Sequence, residues 1–277
     1  MRKQGWRTSG SLRSQGGNES PPLTIITDPL FYALAIPAVV ALGLSKGGFA
    51  GVGQVATPML ALIMPPLEAA AIMLPIIIVQ DAAALWVYRK EWSGRLLAIM
   101  TPGAVVGVAA GGVLAAYISN DAVRVFIGVF TISYVLWIWI GPAQIAREAG
   151  NPAVASGVFW GAMAGFTSTV GQAGAPPYAI YVLALKLPKM MFVGTTAYFF
   201  AGVNWMKVVP YLALGQFSTK GFATSLVLLP LAVATNLLGF WLVRITPQEL
   251  FYKIMYALMF VISFELLREG LTGLLRG

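Results

Sequence analysis

Two ionisable side chains interrupt apolar stretches of this 277-residue chain and are the first candidates for chemistry. Lys46 closes an apolar segment within the string LSKGG at 44–48, and Asp81 interrupts the apolar run 76–82. Charged side chains inside membrane segments are costly and mark functional sites. A lysine beside exposed backbone N–H groups would suit an anion, whereas a lysine reaching the interface would only snorkel outward. Three roles remain open for Asp81: an ion pair with Lys46, a proton-coupling site, or an exposed charge near a helix end.

Polar side chains recur at two glycine-rich strings, where they could bind the oxygens of an anion together with backbone N–H groups. Gln54 and Gln172 each follow a glycine, and the run 167–169 supplies three hydroxyl groups. The same residue types also cap helix ends, so both roles stay open. The candidate substrate-binding residues are Lys46, Gly47, Gly48, Gly51, Gly53, Gln54, Thr167, Ser168, Thr169, Gly171, Gln172, Gly174 and Asn204.

The two glycine-rich strings are related by an internal repeat. Five positions of the first string match five of the second at one constant offset: Gly47, Gly51, Gly53, Gln54 and Pro58 with Gly165, Thr169, Gly171, Gln172 and Pro176. We therefore predict a duplication with halves at 28–141 and 153–277, a basic disordered tail at 1–27 and a cytoplasmic linker at 142–152. Glycine-interrupted hydrophobic segments in both halves of a repeat indicate a secondary-transporter site.

The composition sets the class of protein that must position these residues. Hydrophobic residues make up 58% of the chain and charged residues 10%, whereas soluble domains carry about 25% charged residues. The apolar segments are longer than strands and lack a two-residue alternation, so we predict helices. The predicted segments are 29–46, 53–64, 67–88, 95–118, 122–141, 153–170, 174–186, 189–209, 220–243 and 247–268.

Segments 29–46 with 53–64, and 153–170 with 174–186, are too short to be ordinary spans. We count each pair as one glycine-broken crossing, which predicts an all-α integral membrane protein with about eight crossings. One predicted side then holds the tail, the 89–95 loop, the 142–152 linker, the 207–220 joint and the C-terminus. That side carries 12 of the 18 Lys and Arg residues, which favours both termini in the cytoplasm of a bacterial-type inner membrane. If the pairs were re-entrant hairpins instead, the halves would be inverted repeats and this bias would vanish.

Several function classes are excluded by absent residues. The chain has no Cys and no His, which excludes thiolate chemistry, Cys/His zinc sites and a Ser-His-Asp triad. It also lacks a GxxxxGK[ST] phosphate-binding motif. We expect no enzyme activity, no cofactor and no metal. The basic tail and loops explain the net charge of +8 without a nucleic-acid partner. Lys46 and Asp81 are the ionisable groups that we expect at membrane depth.

Two longer strings carry a family resemblance. GLSKGGFAGVGQVATPMLALIMPPLEAAAIMLP at 43–75 resembles the first motif of the sulfite exporter TauE/SafE family, also called the 4-toluene sulfonate uptake permease family. AGAPPYAIYVLALKLPKMMFVGTT at 173–196, continuing to NWMKVVPYLALGQF at 204–217, resembles its second motif. The resemblance covers about residues 30–268. It implies a membrane transporter built from two repeats, and relatives linked to sulfite, sulfonates and sulfoacetate.

The motifs place family positions on particular residues of this chain. The first motif falls on Lys46, Gly47, Gly48, Gly51, Gly53, Gln54 and Pro58. The second falls on Gly174, Pro176, Pro177, Pro188, Gly194, Thr195, Thr196, Asn204 and Lys207. The string 170–174 departs from many relatives, which carry an aromatic residue and a His there.

The sequence thus predicts a secondary transporter in a lipid bilayer that moves a small sulfur-containing or organic anion, such as sulfite or a sulfonate. A passive anion channel is the alternative.

Overall fold

The computed structural model describes residues 25–49, 56–61, 66–114, 153–213 and 217–276. It also describes 53, 63, 64, 119, 121, 122, 125, 128, 129, 132, 133, 136 and 139. All regular secondary structure in these residues is helical. The helices with described ends are α1 (Pro29–Gly47), α2 (Ala56–Ala61), α3 (Pro66–Val87), α4 (Gly94–Leu114), α5 (Val154–Gly171), α6 (Ala175–Ala184), α7 (Lys189–Ala213), α8 (Thr219–Ile245) and α9 (Gln248–Arg276). The described residues from 121 to 139 are also helical. Most of the predicted tail, all of the predicted linker, and Gly51 and Gln54 lie outside the described residues.

Four of the described helices are long and apolar enough to cross a membrane: Pro29–Gly47, Glu68–Val87, Gly94–Leu114 and Thr219–Ile245. α5 and α6 are shorter apolar helices. Large apolar side chains such as Trp86, Val113 and Trp241 are exposed on the outside of the bundle, where lipid would cover them. An all-helical fold with this distribution is that of a multi-pass membrane protein.

Local sequence signals set the ends of the first helix. The Asp28 carboxylate accepts a hydrogen bond of 2.9 Å from the N–H of Leu30, and Pro29 occupies the first helical position. Gly48 ends the helix at φ = 133°, a conformation that side chains with a Cβ rarely adopt. The end of α1 therefore follows from its own sequence.

Small residues bring α4 and α5 into backbone contact. A Cβ added at Gly161 would overlap the carbonyl oxygen of Met100, and one at Gly107 would overlap the carbonyl oxygen of Ala162. Membrane helices associate through such close packing because lipid removes the hydrophobic driving force between them. α4 and α5 run parallel, since Met100 contacts Gly161 early in both helices and Gly111 contacts Thr169 late in both.

α1 and α8 form the corresponding parallel pair. The N–H of Ile26, just before α1, donates to the Thr224 hydroxyl near the start of α8 at 3.0 Å. Near the other end, Gly47 packs on the backbone of Gly239.

α3 is also parallel to α8. The Ser225 hydroxyl donates to the carbonyl of Ile72 at 2.6 Å, and the Asn236 amide donates to the carbonyl of Gln80 at 3.0 Å. Consequently α1, α3 and α8 all start at one end of the bundle, which we call the Asp28 end, and finish at the other, the Tyr88 end.

The prediction that 153–170 and 174–186 form one crossing is wrong. The Tyr181 hydroxyl, near the end of α6, donates to the carbonyl of Ala153, just before α5, at 3.3 Å. The two helices therefore form an antiparallel hairpin. The reversal has a local cause: Gln172 adopts the left-handed conformation (φ = 53°), and the N–H groups of Gln172 and Ala173 both bond the Thr167 carbonyl.

The first half reverses in the same way. α1 and α3 both run from the Asp28 end to the Tyr88 end, so the chain between Gly48 and Pro66 must return to the Asp28 end. Gly53 accordingly lies against Ser45, in the last turn of α1. The prediction of one broken crossing is wrong here too.

The hairpins also change the predicted distribution of charged loops. The N–H of Ser93 donates to the Thr195 hydroxyl near the start of α7 at 3.0 Å, so the 89–95 loop lies at the Tyr88 end. The 207–220 joint follows α7 to the Asp28 end. The two segments were predicted to share one side, and that prediction is wrong. The Lys and Arg bias that depended on it no longer identifies the cytoplasmic side.

Candidate functional site

A cavity of about 100 Å³ lies where α1 and α5 end, between α3 and α7. α1 approaches it from the Asp28 end and α5 from the Tyr88 end, so both hairpins contribute to its wall. Its polar lining consists of Ser45, Lys46, Ser168, Gln172, Thr196, Asn204 and Lys207. The rest is mainly apolar, including Leu42, Ile77 and Phe200.

Lys46 and Asp81 form a largely buried ion pair at this cavity. The Lys46 Nζ lies 2.5 Å from the Asp81 Oδ1, and the side chains are 13% and 1% exposed. The second carboxylate oxygen, Oδ2, accepts a hydrogen bond of 2.8 Å from the Asn204 amide. An exposed role for Asp81 and an outward-reaching Lys46 are both incompatible with this geometry. The pair joins α1 to α3, and Asn204 joins both to α7.

Lys207 is a second buried cation, and the sequence reasoning missed it as a site residue. Its side chain is 1% exposed, and its Nζ donates to the Ser168 hydroxyl and to the Gln172 amide oxygen, each at 3.1 Å. Both partners are neutral, although a buried ammonium group is ordinarily balanced by an anion. The expectation of only Lys46 and Asp81 at depth is therefore wrong. The sequence did contain a signal for Lys207 as a site residue. It lies three residues after the candidate Asn204, and residues three apart on a helix share a face.

Gln172 connects Lys207 to a tyrosine. Its amide oxygen accepts from Lys207, and its Nε2 donates to the Tyr211 hydroxyl at 3.0 Å. Tyr211 is buried one turn beyond Lys207 on α7. The amide is thus held at both ends, which fixes the position of the Lys207 ammonium group.

Backbone N–H groups just beyond the ends of α1 and α5 are bonded within the protein. The N–H groups of Gly48 and Phe49 bond carbonyl groups in the last turn of α1, at 3.0 and 3.3 Å. At the second hairpin, Ala173 bonds the Thr167 carbonyl, and the two prolines that follow Ala175 have no N–H. These N–H groups are therefore bonded within the protein, whereas several polar side chains line the cavity.

The three hydroxyl residues of α5 do not act alike. The Thr167 and Thr169 hydroxyls donate to carbonyls one turn earlier, of Met163 at 2.7 Å and Gly165 at 2.9 Å. Ser168 lies between them and is the one that lines the cavity.

The predicted glycines also divide into two groups. Gly48 and Gly53 line the cavity. Gly47 packs on α8, and its carbonyl accepts a hydrogen bond of 2.7 Å from the Tyr88 hydroxyl. Gly171 ends α5, and Gly174 packs on the carbonyl of Ala164.

Two buried amides hold α3 against α8 beside Asp81. The Gln80 Nε2 donates to the carbonyl of Ala232 at 3.2 Å, and the Asn236 Nδ2 donates to the carbonyl of Gln80 at 3.0 Å. These bonds fix the rotation of α3, which directs the neighbouring Asp81 toward Lys46 and Asn204.

Comparison with known proteins identifies one family. The family model described as "Sulfite exporter TauE/SafE" matches residues 35–266, a range that contains every residue of the cavity wall. No curated protein and no solved structure matches the chain.

Proposed function

Because this chain belongs to the TauE/SafE family, whose members are membrane transporters, we propose that it is a secondary transporter for a small sulfur-containing anion, such as sulfite or a sulfonate. The observation that carries the proposal is the pair of lysine ammonium groups, Lys46 and Lys207, at one buried cavity. A water molecule occupies about 30 Å³ in the liquid, so the cavity has room for an ion of the size of sulfite.

Lys207 is the main contact for the anion in this proposal. Its partners, Ser168 and Gln172, are neutral and can be exchanged for, or joined by, the oxygens of a ligand. Lys46 already has a carboxylate partner and supplies attraction at longer range. Ser168 and Asn204 then bond the remaining oxygens. In a low-dielectric site these charge-assisted bonds are strong.

Alternating access follows from the opposed hairpins. α1 with α2 reaches the cavity from one end, and α5 with α6 from the other. We propose that the two halves are inverted repeats and that each hairpin closes the cavity toward its own side of the membrane. Rocking of one half against the other would then expose the anion to each side in turn.

The membrane is, in this proposal, the bacterial-type inner membrane. The placement of both termini in the cytoplasm stays a prediction.

Transport by purified protein in liposomes tests the proposal. Lys207→Ala and Lys46→Ala should each abolish sulfite flux while the protein still inserts, because each removes a buried positive charge. Lys220→Ala, at the exposed start of α8, is the matched control and should transport normally. Wild-type flux in both cavity variants would contradict the proposed site.

A passive anion channel shares the same residues and is the alternative function. An imposed pH difference separates the two. A transporter coupled to protons accumulates sulfite above its equilibrium distribution, whereas a channel only dissipates the gradient.

A further inference from the structure

The charged groups at the cavity do not balance. Lys46 and Lys207 contribute two positive charges and Asp81 contributes one negative charge. Within the described part of the chain these are the charged side chains that line the cavity or bond its wall. With all three groups ionised, these side chains give the cavity a net charge of +1.

The groups around these three side chains carry no charge that could balance a different net charge at the cavity. The other polar contacts of these three groups are neutral: Ser168 and Gln172 on Lys207, and Asn204 on Asp81. The wall also contains the neutral hydroxyl residues Ser45 and Thr196, and the rest of it is mainly apolar, with Ile77, Val193 and Phe200 among its residues. Uncompensated charge in such surroundings is strongly unfavourable.

We propose that the cavity selects its ligand by charge and accepts a monoanion, of the sulfonate or hydrogensulfite class, in preference to a dianion. This inference rests on the proposed transport function. A monoanion brings the total to zero. A dianion of the same shape leaves one negative charge unpaired beside Asp81, whose carboxylate is already 1% exposed and committed to Lys46 and Asn204.

Three tetrahedral probes of similar size differ in charge, because each replaces one methyl group of the last with an oxygen atom. Dimethyl sulfone is neutral, methanesulfonate carries one negative charge and sulfate carries two. Binding of each to the purified full-length protein is measured by titration calorimetry. We expect methanesulfonate to bind the wild-type protein at least about tenfold more tightly than sulfate, a ratio that corresponds to about 1.4 kcal/mol.

Substitutions that reset the charge give the decisive comparison. Asp81→Asn leaves two positive charges and should reverse the preference, so that sulfate binds more tightly than methanesulfonate. The double variant Lys46→Met/Asp81→Asn returns the total to +1 and should restore the preference for methanesulfonate. Glu249→Gln, at an exposed position in the first turn of α9, removes a carboxylate far from the cavity and should keep the wild-type preference.

If Asp81→Asn alone does not fold, the double variant still tests the inference. It removes both members of the ion pair together and leaves neither charge unpaired. Equal affinity for methanesulfonate and sulfate in the wild type would overturn the charge inference. So would an unchanged preference in Asp81→Asn.

Failure of the proposed function has a different signature. If neither anion binds the wild type, or if Lys207→Gln binds methanesulfonate as the wild type does, the cavity is not the anion site. Loss of methanesulfonate binding in Lys207→Gln with no discrimination between the two anions would retain the site and reject selection by charge.

Discussion

Tyr88 and Tyr211 each bond the end of one of two opposed helices. They are separated by the same 123 residues as Asp81 and Asn204, which bond each other at the centre. The Tyr88 hydroxyl donates to the carbonyl of Gly47, at the end of α1, at 2.7 Å. The Tyr211 hydroxyl accepts from Gln172, just beyond the end of α5, at 3.0 Å.

Tyr88→Phe should destabilise the protein because it leaves the buried Gly47 carbonyl without this donor. The expected loss is about 1–3 kcal/mol in the free energy of unfolding. Chemical denaturation in detergent measures it. Tyr198→Phe is the matched control, because that ring is only half-buried and stacks on Trp92. An equal loss in both variants would show that the hydroxyl of Tyr88 does not act through Gly47.

Tyr211→Phe should weaken anion binding rather than stability. It removes the acceptor of the Gln172 amide, which positions the Lys207 ammonium group. A neutral hydrogen bond contributes about 1 kcal/mol, so the dissociation constant for methanesulfonate should rise about fivefold. Calorimetric titration measures the constant. An unchanged constant would mean that Lys207 does not depend on this relay.

Gly161→Ala should separate α4 from α5. The added Cβ would overlap the carbonyl oxygen of Met100, and backbone cannot move aside as a flexible side chain can. We expect a loss of at least about 1–3 kcal/mol, read from the thermal stability of the purified protein. Gly202→Ala is the control within α7, where a Cβ meets no atom within 4 Å. That variant should be neutral or slightly more stable, because alanine favours helix.

Single-cysteine labelling should establish the hairpins. The chain contains no Cys, so each introduced thiol is unique. Lys90→Cys and Lys186→Cys should react with a membrane-impermeant maleimide from one side of the membrane, and Lys220→Cys from the other. If Lys90→Cys and Lys220→Cys reacted from the same side, the pairs would be single crossings and the inverted arrangement would be wrong.

Asp81→Asn should remove the effect of an imposed pH difference on sulfite transport. Asp81 is the carboxylate at the cavity, where it contacts Lys46 on α1 and Asn204 on α7, with Lys207 on the same wall. The amide keeps the size of the side chain but removes the charged group that pairs with Lys46. Flux in proteoliposomes with and without the gradient measures the effect. If the variant depended on the gradient as strongly as the wild type, a group other than Asp81 would be responsible for proton coupling.

Much of the architecture could be predicted from the sequence because it depends on local properties. Composition alone indicates a membrane protein, and the predicted segment 29–46 matches α1 at Pro29–Gly47 within one residue. Asp28 and Gly48 mark the ends of that helix through their own chemistry. The contact between Lys46 and Asp81 was one of three roles inferred from two charges in apolar runs, and the family could be recognised from the two motifs.

The tertiary structure decided the direction of the chain after each helix end. Hydropathy along a segment is the same whether the next helix continues or turns back. At the second hairpin the choice depends on one left-handed residue, Gln172, and on a contact between Tyr181 and Ala153 that are 28 residues apart. The constant offset of the glycine motifs paired Gly47 with Gly165, whereas the helices end at Gly47 and Gly171.

The same distinction applies to Lys207. In the sequence Lys207 lies near the end of the predicted segment 189–209, and its charge does not indicate how deeply its side chain is buried. Its burial follows from Ser168 and Gln172, which a separate hairpin brings against α7. The sequence determined which charges this protein carries. Only the packing of distant segments determined that two lysines and one aspartate share a cavity, because burial is a property of the neighbours and not of the residue.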